Sequence, residues 1–256
     1  TMDEITENLL GTFDFYDAEM LTIFFETKFE VINRLIPPPL EPGSEPNGMV
    51  FVANYPKTNF GVSYLESALF LNVKYHEDEG VYCLSMPVSN DMAMVGGRET
   101  FGYPKKIGEI FFERQGNDVR GWTERRGTRF LDISAKLTGK FNDDMAQSKI
   151  MERFEENIEF VVYNYKYFLS PDLVGFDYNP RLIKEVVKFN PKTVQIGEAQ
   201  LELKSSPHDP WGDVDVVKVL GAVYTVGDNT MMPGIVAAEV DQTEFIPYAL
   251  MKVDSI

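Results

Sequence analysis

The sequence predicts a β-dominated α+β fold built on a closed or nearly closed antiparallel β-barrel with flanking helices. Three observations carry that expectation. β-rich stretches recur from Met20 to Val240, the turns between them are short and of hairpin composition, and few segments hold helical spacing. A barrel of this kind offers a concave apolar interior, a common setting for a small-molecule site.

Taken in order, residues 1–11 read as a short helix or a frayed lead. Met20 to Glu26 is a strand rich in Ile, Phe and Thr, and Lys28 to Ile36 follows at helical spacing until Pro37-Pro38-Pro39 stops it. Met49 to Tyr55, Val62 to Tyr75 and Val81 to Val88 form a β-meander, with Glu77-Asp78-Glu79-Gly80 as a turn. Ser89 can cap a short helix over Asn90 to Val95, where Asp91 suits the first turn. Gly108 to Gln115, Val119 to Arg126 and Phe130 to Leu137 are joined by Gly116-Asn117-Asp118 and Gly127-Thr128, the mark of consecutive hairpins. Asp143 to Asn157 is a surface helix with Met145, Ile150, Met151 and Phe154 toward one face. Phe160 to Leu169, Leu182 to Phe189, Thr193 to Lys204, Val214 to Tyr224 and Gly234 to Val240 complete the strands, with a turn expected at Gly227-Asp228-Asn229.

No repeat, low-complexity tract or long linker divides the 256 residues, so a single domain over 1–256 is expected. Forty acidic against 24 basic residues give a formal charge of −16, which repels nucleic acid and anionic membrane surfaces. The lone Cys83 permits no intrachain disulfide, and the N-terminus has no basic region followed by a long apolar run, so a reducing, cytoplasmic setting is expected. No apolar segment approaches the ~18 residues of a membrane helix. His76 and His208 sit in loop-like surroundings, and Cys-x-x-Cys, His-Glu-x-x-His and the phosphate-binding glycine motifs are missing. The expectation is chemistry without metal or cofactor.

That chemistry centres on Gly96-Gly97-Arg98-Glu99-Thr100-Phe101-Gly102-Tyr103-Pro104-Lys105-Lys106. A free lysine titrates near ~10.4, so nucleophilic use at neutral pH needs a large downward change. A second ammonium ~7 Å away at an effective dielectric near 20 supplies about 2.4 kcal/mol, whereas burial lowers a lysine by up to ~3–5 pH units. Burial is therefore the larger lever. Pro104 stiffens the approach, and in extended backbone Lys105 and Lys106 point to opposite faces, so one of the two fits an apolar pocket.

Arg-Glu, a short spacer, then Tyr-Pro-Lys-Lys resembles the signature of the acetoacetate decarboxylase family, itself a known case of an activated, Schiff-base-forming lysine. Glu19 to Leu40, with its strand, short helix and Pro-Pro-Pro-Leu exit, is similar to the family's N-terminal portion. Tyr64-Leu65-Glu66-Ser67 matches its Glu-Ser strand, and Gln195 to Gly234 is similar in strand order and in its Trp-Gly turn. The resemblance implies an antiparallel barrel, a homo-oligomer and a small keto acid or other carbonyl compound as substrate. It also implies Lys105 as the imine-forming amine and Glu66 as the acid-base group. Arg98 and Glu99 are expected to brace the loop, Lys106 to act through its field or sit as a surface charge, and Tyr103 and Met86 to form the apolar wall.

Two departures stand out. Ala18 replaces an arginine that the family carries before its first-strand glutamate, and Val52 replaces a glutamate after the phenylalanine of the next strand. The first reaction expected is decarboxylation of acetoacetate or a related β-keto acid. An aldolase or dehydratase using the same iminium, and a non-catalytic ligand-binding barrel, are the alternatives.

Overall fold

The computed structural model describes residues 11–154 and 158–254, so the expected lead segment lies outside it apart from Gly11. In chain order the elements are β1 Phe13–Glu26, α1 Phe29–Leu35, β2 Glu41–Pro42, β3 Asn47–Tyr55, β4 Lys57–Thr58, β5 Tyr64–Tyr75 and β6 Asp78–Val88. Then come α2 Asp91–Thr100, β7 Lys105–Ile107, β8 Glu109–Gln115, β9 Asp118–Arg125, β10 Thr128–Lys136 and α3 Asp144–Met151. β11 Ile158–Lys166, β12 Arg181–Leu203, β13 Lys218–Met231, β14 Ile235–Glu239 and α4 Gln242–Phe245 complete the set. No helix among the described residues is long and apolar enough to cross a membrane.

Neighbour follows neighbour in the order β11, β6, β5, β3, β1, β13, β12, and β12 pairs back onto β11, which closes a seven-stranded barrel. The closed ring leaves no free edge within it. The barrel is mixed rather than purely antiparallel, because β6 runs parallel to β11 and to β7. Parallel neighbours need a crossover, and α2 supplies the one between β6 and β7. The expected hairpins β8, β9 and β10 form, and they pack as a second sheet that is joined to the barrel through β12.

Two expected strands, Leu182 to Phe189 and Thr193 to Lys204, are one 23-residue strand with an irregularity between Pro191 and Thr193. Proline cannot donate to the ladder, so the strand bulges there without ending. Gly227-Asp228-Asn229 is likewise strand rather than turn: Gly227 pairs with both Ala18 and Pro191. Its Cα lies so close to β12 that an added Cβ would meet the Asn190 carbonyl oxygen at 2.5 Å. Here glycine marks close backbone approach. The helix expected over Asp143 to Asn157 ends at Met151 and tightens into a 3₁₀ turn over Glu152–Phe154; its remaining expected residues, 155–157, lie outside the described chain.

Alternation along the strands divides the apolar residues between two cores. Phe15, Ala18, Phe51, Ala53 and Phe70 face the barrel interior, whereas Leu21, Ile23, Val50, Leu69, Ile110 and Ile133 belong to the core shared with the second sheet. Val52 belongs to the second group. It is fully buried, and an added Cβ on Gly121 of β9 would sit 2.7 Å from its Cβ. The Val52 departure therefore does not remove a carboxylate from the barrel interior, since the cavity face of β3 is carried by Phe51 and Ala53. Ala18 does face the interior.

Candidate active site

Glu66 lies on β5 in phase with Tyr64 and Phe70, so strand alternation turns all three toward the barrel interior. Lys105 opens β7 and pairs in parallel with Met86 of β6. Its Nζ donates to Glu66 Oε2 at 2.8 Å, and both residues are about 95 % shielded from solvent, with exposures of 5 % and 4 %. The Lys105 ammonium also stands 5.6 Å from the ring centre of Tyr64 and 5.7 Å from that of Tyr103. These rings offer negative faces to a cation. The hydroxyls of Tyr55 and Tyr64 donate to Glu66 at 3.5 and 3.3 Å.

The lysine is placed by the helix before it. Asn90, rather than Ser89, caps α2, its side-chain oxygen accepting from the Ala93 amide. The helix then runs through both glycines to Thr100, beyond the expected end at Val95. Gly102, at φ +84°, reverses the chain so that the Tyr103 amide reaches back to the Gly97 carbonyl. Arg98 donates from Nη1 to the Lys105 carbonyl at 3.3 Å. Glu99 is exposed, and among the described residues the hydrogen bond that braces the loop is made by Arg98 without it.

Lys106 points away, as extended backbone requires. It is buried at 5 % exposure, so it is not a surface charge, and it donates to the His208 carbonyl at 2.8 Å. Asp254 and Asp209 lie 3.2 and 3.6 Å from its Nζ, and Arg125 bridges the same two carboxylates. With two anions beside it, Lys106 does not present a bare positive field to Lys105.

Tyr103 and Met86 both line the cavity. The cavity measures about 150 Å³, and among its described lining residues Glu66 and Lys105 carry the only charges. Burial raises the Tyr55, Tyr64 and Tyr103 hydroxyls well above their usual range, with the Glu66 carboxylate adding to the first two. They stay protonated and can serve as hydrogen-bond donors.

One buried carboxyl escaped the reading of motifs. Glu185 on β12 pairs opposite Val162 and is fully buried, with no hydrogen-bond partner on either oxygen. Burial pushes it up to about 8, against opposing pulls from the Tyr103 hydroxyl and the Lys105 ammonium; the hydroxyl is near yet outside hydrogen-bonding geometry. The Asn164 amide, also fully buried, lacks partners too. A signal existed: in Ile183-Lys184-Glu185-Val186-Val187, glutamate shares the parity of Ile183 and Val187 on the inward face.

A lysine hydrogen-bonded to a carboxylate in an apolar cavity can pass its proton to that carboxylate and attack an electrophile as the free amine. A family described as "Acetoacetate decarboxylase (ADC)" matches residues 4–240. A protein of Lactiplantibacillus plantarum named "CLA biosynthesis isomerase" is 28% identical over 243 residues, 90% of this chain and 84% of its own length. An acetoacetate decarboxylase of Clostridium beijerinckii is 25% identical over 227 residues, 86% of each chain. The crystal structure of acetoacetate decarboxylase from Legionella pneumophila superposes with a TM-score of 0.78 at 22% identity, covering 90% of this chain and 88% of that one.

Proposed function

Since the chain belongs to the acetoacetate decarboxylase family, we propose that it forms a Schiff base between Lys105 and a ketone and uses the resulting iminium to decarboxylate a β-keto acid. Glu66 takes the ammonium proton, the free amine adds to the carbonyl, and the carbinolamine loses water to leave a cationic iminium. As CO₂ departs, the electron pair of the breaking carbon–carbon bond moves into the iminium and gives a neutral enamine. Glu66 gives the proton it took to the departing hydroxyl; a second proton, taken up from solvent as the overall reaction requires, then passes through Glu66 to the enamine carbon, and water hydrolyses the iminium to release the ketone and the Lys105 ammonium. Tyr55 and Tyr64 hold the carboxylate while its charge changes. The observation that carries this reading is the 2.8 Å contact between Lys105 and Glu66 inside an otherwise uncharged cavity.

A second reading has its own support. No arginine or further lysine lines the cavity among the described residues, so a substrate carboxylate has no cation besides the reacting one. Proton transfer on the enamine without loss of CO₂, as in an isomerase, aldolase or dehydratase, needs the same two residues, and one relative carries an isomerase name.

Borohydride reduction in the presence of a panel of keto acids, ketones and aldehydes tests the common step. Mass spectrometry should find a secondary amine at Lys105, none there in Lys105→Ala, and an adduct formed about 10²-fold more slowly in Glu66→Gln. Lys252 is the control: burial pushes it down to about 8, and it does not line the cavity that holds Lys105. Labelling confined to Lys252 or scattered over surface lysines would refute the Schiff base and favour a ligand-binding barrel.

A further inference from the structure

The cavity does not end at the Lys105–Glu66 pair. Glu66 of β5 pairs with Ala53 of β3, which pairs with Met20 of β1; four residues further along β5, Phe70 pairs with Met49, which pairs with Phe24. Four residues of strand span about 13 Å. Met20, Phe70, Met49 and Phe24 all line the same cavity, and Phe160 of β11 and Phe189 of β12 line it as well. The polar groups beside this wall, Thr22, Thr225 and Asn229, are uncharged. A short keto acid held at Lys105 would leave most of the wall uncovered.

We propose that the site takes a ketone or β-keto acid whose chain continues past the carbonyl as an extended apolar tail, the carbonyl at Lys105 and the tail along the wall toward Met49, Phe24 and Phe160. The carbonyl end of this proposal rests on the Schiff-base reading; the tail rests on the wall. Phe24 and Met49 line both the cavity and a neighbouring surface groove. Each buried methylene contributes ~0.8 kcal/mol, which is roughly fourfold in affinity.

The test is a series of methyl ketones from 2-butanone to 2-undecanone, trapped with borohydride, beside the matching 2-alkanols, which cannot form an imine, followed by calorimetry. Half-saturation at Lys105 should fall roughly fourfold per methylene over the first several carbons, and the alkanols should follow the same trend. Met49→Trp should cut the ratio between long and short ketones at least tenfold, and Met49→Ala should move the optimum to longer chains. Chain-length-independent adducts together with flat alkanol binding would overturn the tail while leaving the Lys105 chemistry intact. Alkanol affinity that rises with length and loses its rise in Met49→Trp would uphold the tail even without an adduct, and in that case the Schiff-base reading alone fails.

Discussion

Gly97 makes the room that the Lys105 side chain fills. A Cβ on this helical glycine would stand 2.6 Å from Lys105 Cε, 2.8 Å from Cδ and 3.2 Å from Nζ. Because the obstructing atoms belong to a flexible side chain, Gly97→Ala is accommodated by moving the amine rather than the backbone, and alanine is the better helix former by up to ~1 kcal/mol. We expect stability within about 1 kcal/mol of the parent, read by urea unfolding, with adduct formation at Lys105 at least tenfold slower. A large loss of stability with normal labelling would mean that the helix yields instead.

Lys106→Gln separates the two lysines. Removing the ammonium leaves Asp209, 1% exposed, to Arg125 alone, and we expect a cost of about 1–3 kcal/mol, below the ~3–5 kcal/mol of a wholly orphaned buried charge. Imine formation should change by less than about threefold, because the charge removed was already compensated by Asp209 and Asp254. A much larger loss of labelling, measured beside thermal unfolding, would return Lys106 to a role in activating its neighbour.

Glu185 gives stability a pH dependence with a definite sign. Its carboxyl binds a proton up to about 8 in the folded protein and only to about 4.5 when unfolded, so the folded state holds the extra proton between those values. Its contribution is complete below about 4.5 and is lost as the pH rises toward about 8, on the order of a few kcal/mol in all. Glu185→Gln keeps the shape and removes the titration, so its unfolding free energy should decline less than the parent's between pH 5 and pH 8. Parallel curves for the two proteins would show that Glu185 is not buried as a neutral acid.

Much of this was legible in the residues. Strand periodicity located the meander and the hairpins, and Pro104 with two adjacent lysines was enough to send Lys105 and Lys106 to opposite faces. What escaped was governed by tertiary contact. Gly227-Asp228-Asn229 has turn composition, yet its backbone is held between β1 and β12, and Asp228 accepts hydrogen bonds from Lys192 and the Asp17 amide. The parallel pairing of β6 depends on where α2 returns the chain, which no local pattern encodes. Val52 illustrates the other limit: its one-residue offset from Phe51 and Ala53 decides which core it enters, and only the register fixes that.

The order of strands around the barrel has a kinetic consequence. β1, made first, finds its partner β13 only after some two hundred residues have followed, as in the pairing of Phe13 with Met231, and the ring shuts only when β12 meets both β13 and β11. Loop-closure entropy must be met before those contacts can reward it, so folding should be slow, on the millisecond-to-second scale of non-local β topologies or beyond. Until β13 arrives, β1 waits with Leu21, Ile23 and Phe25 along an unpaired edge, and during that interval the nascent chain is at its most prone to aggregate.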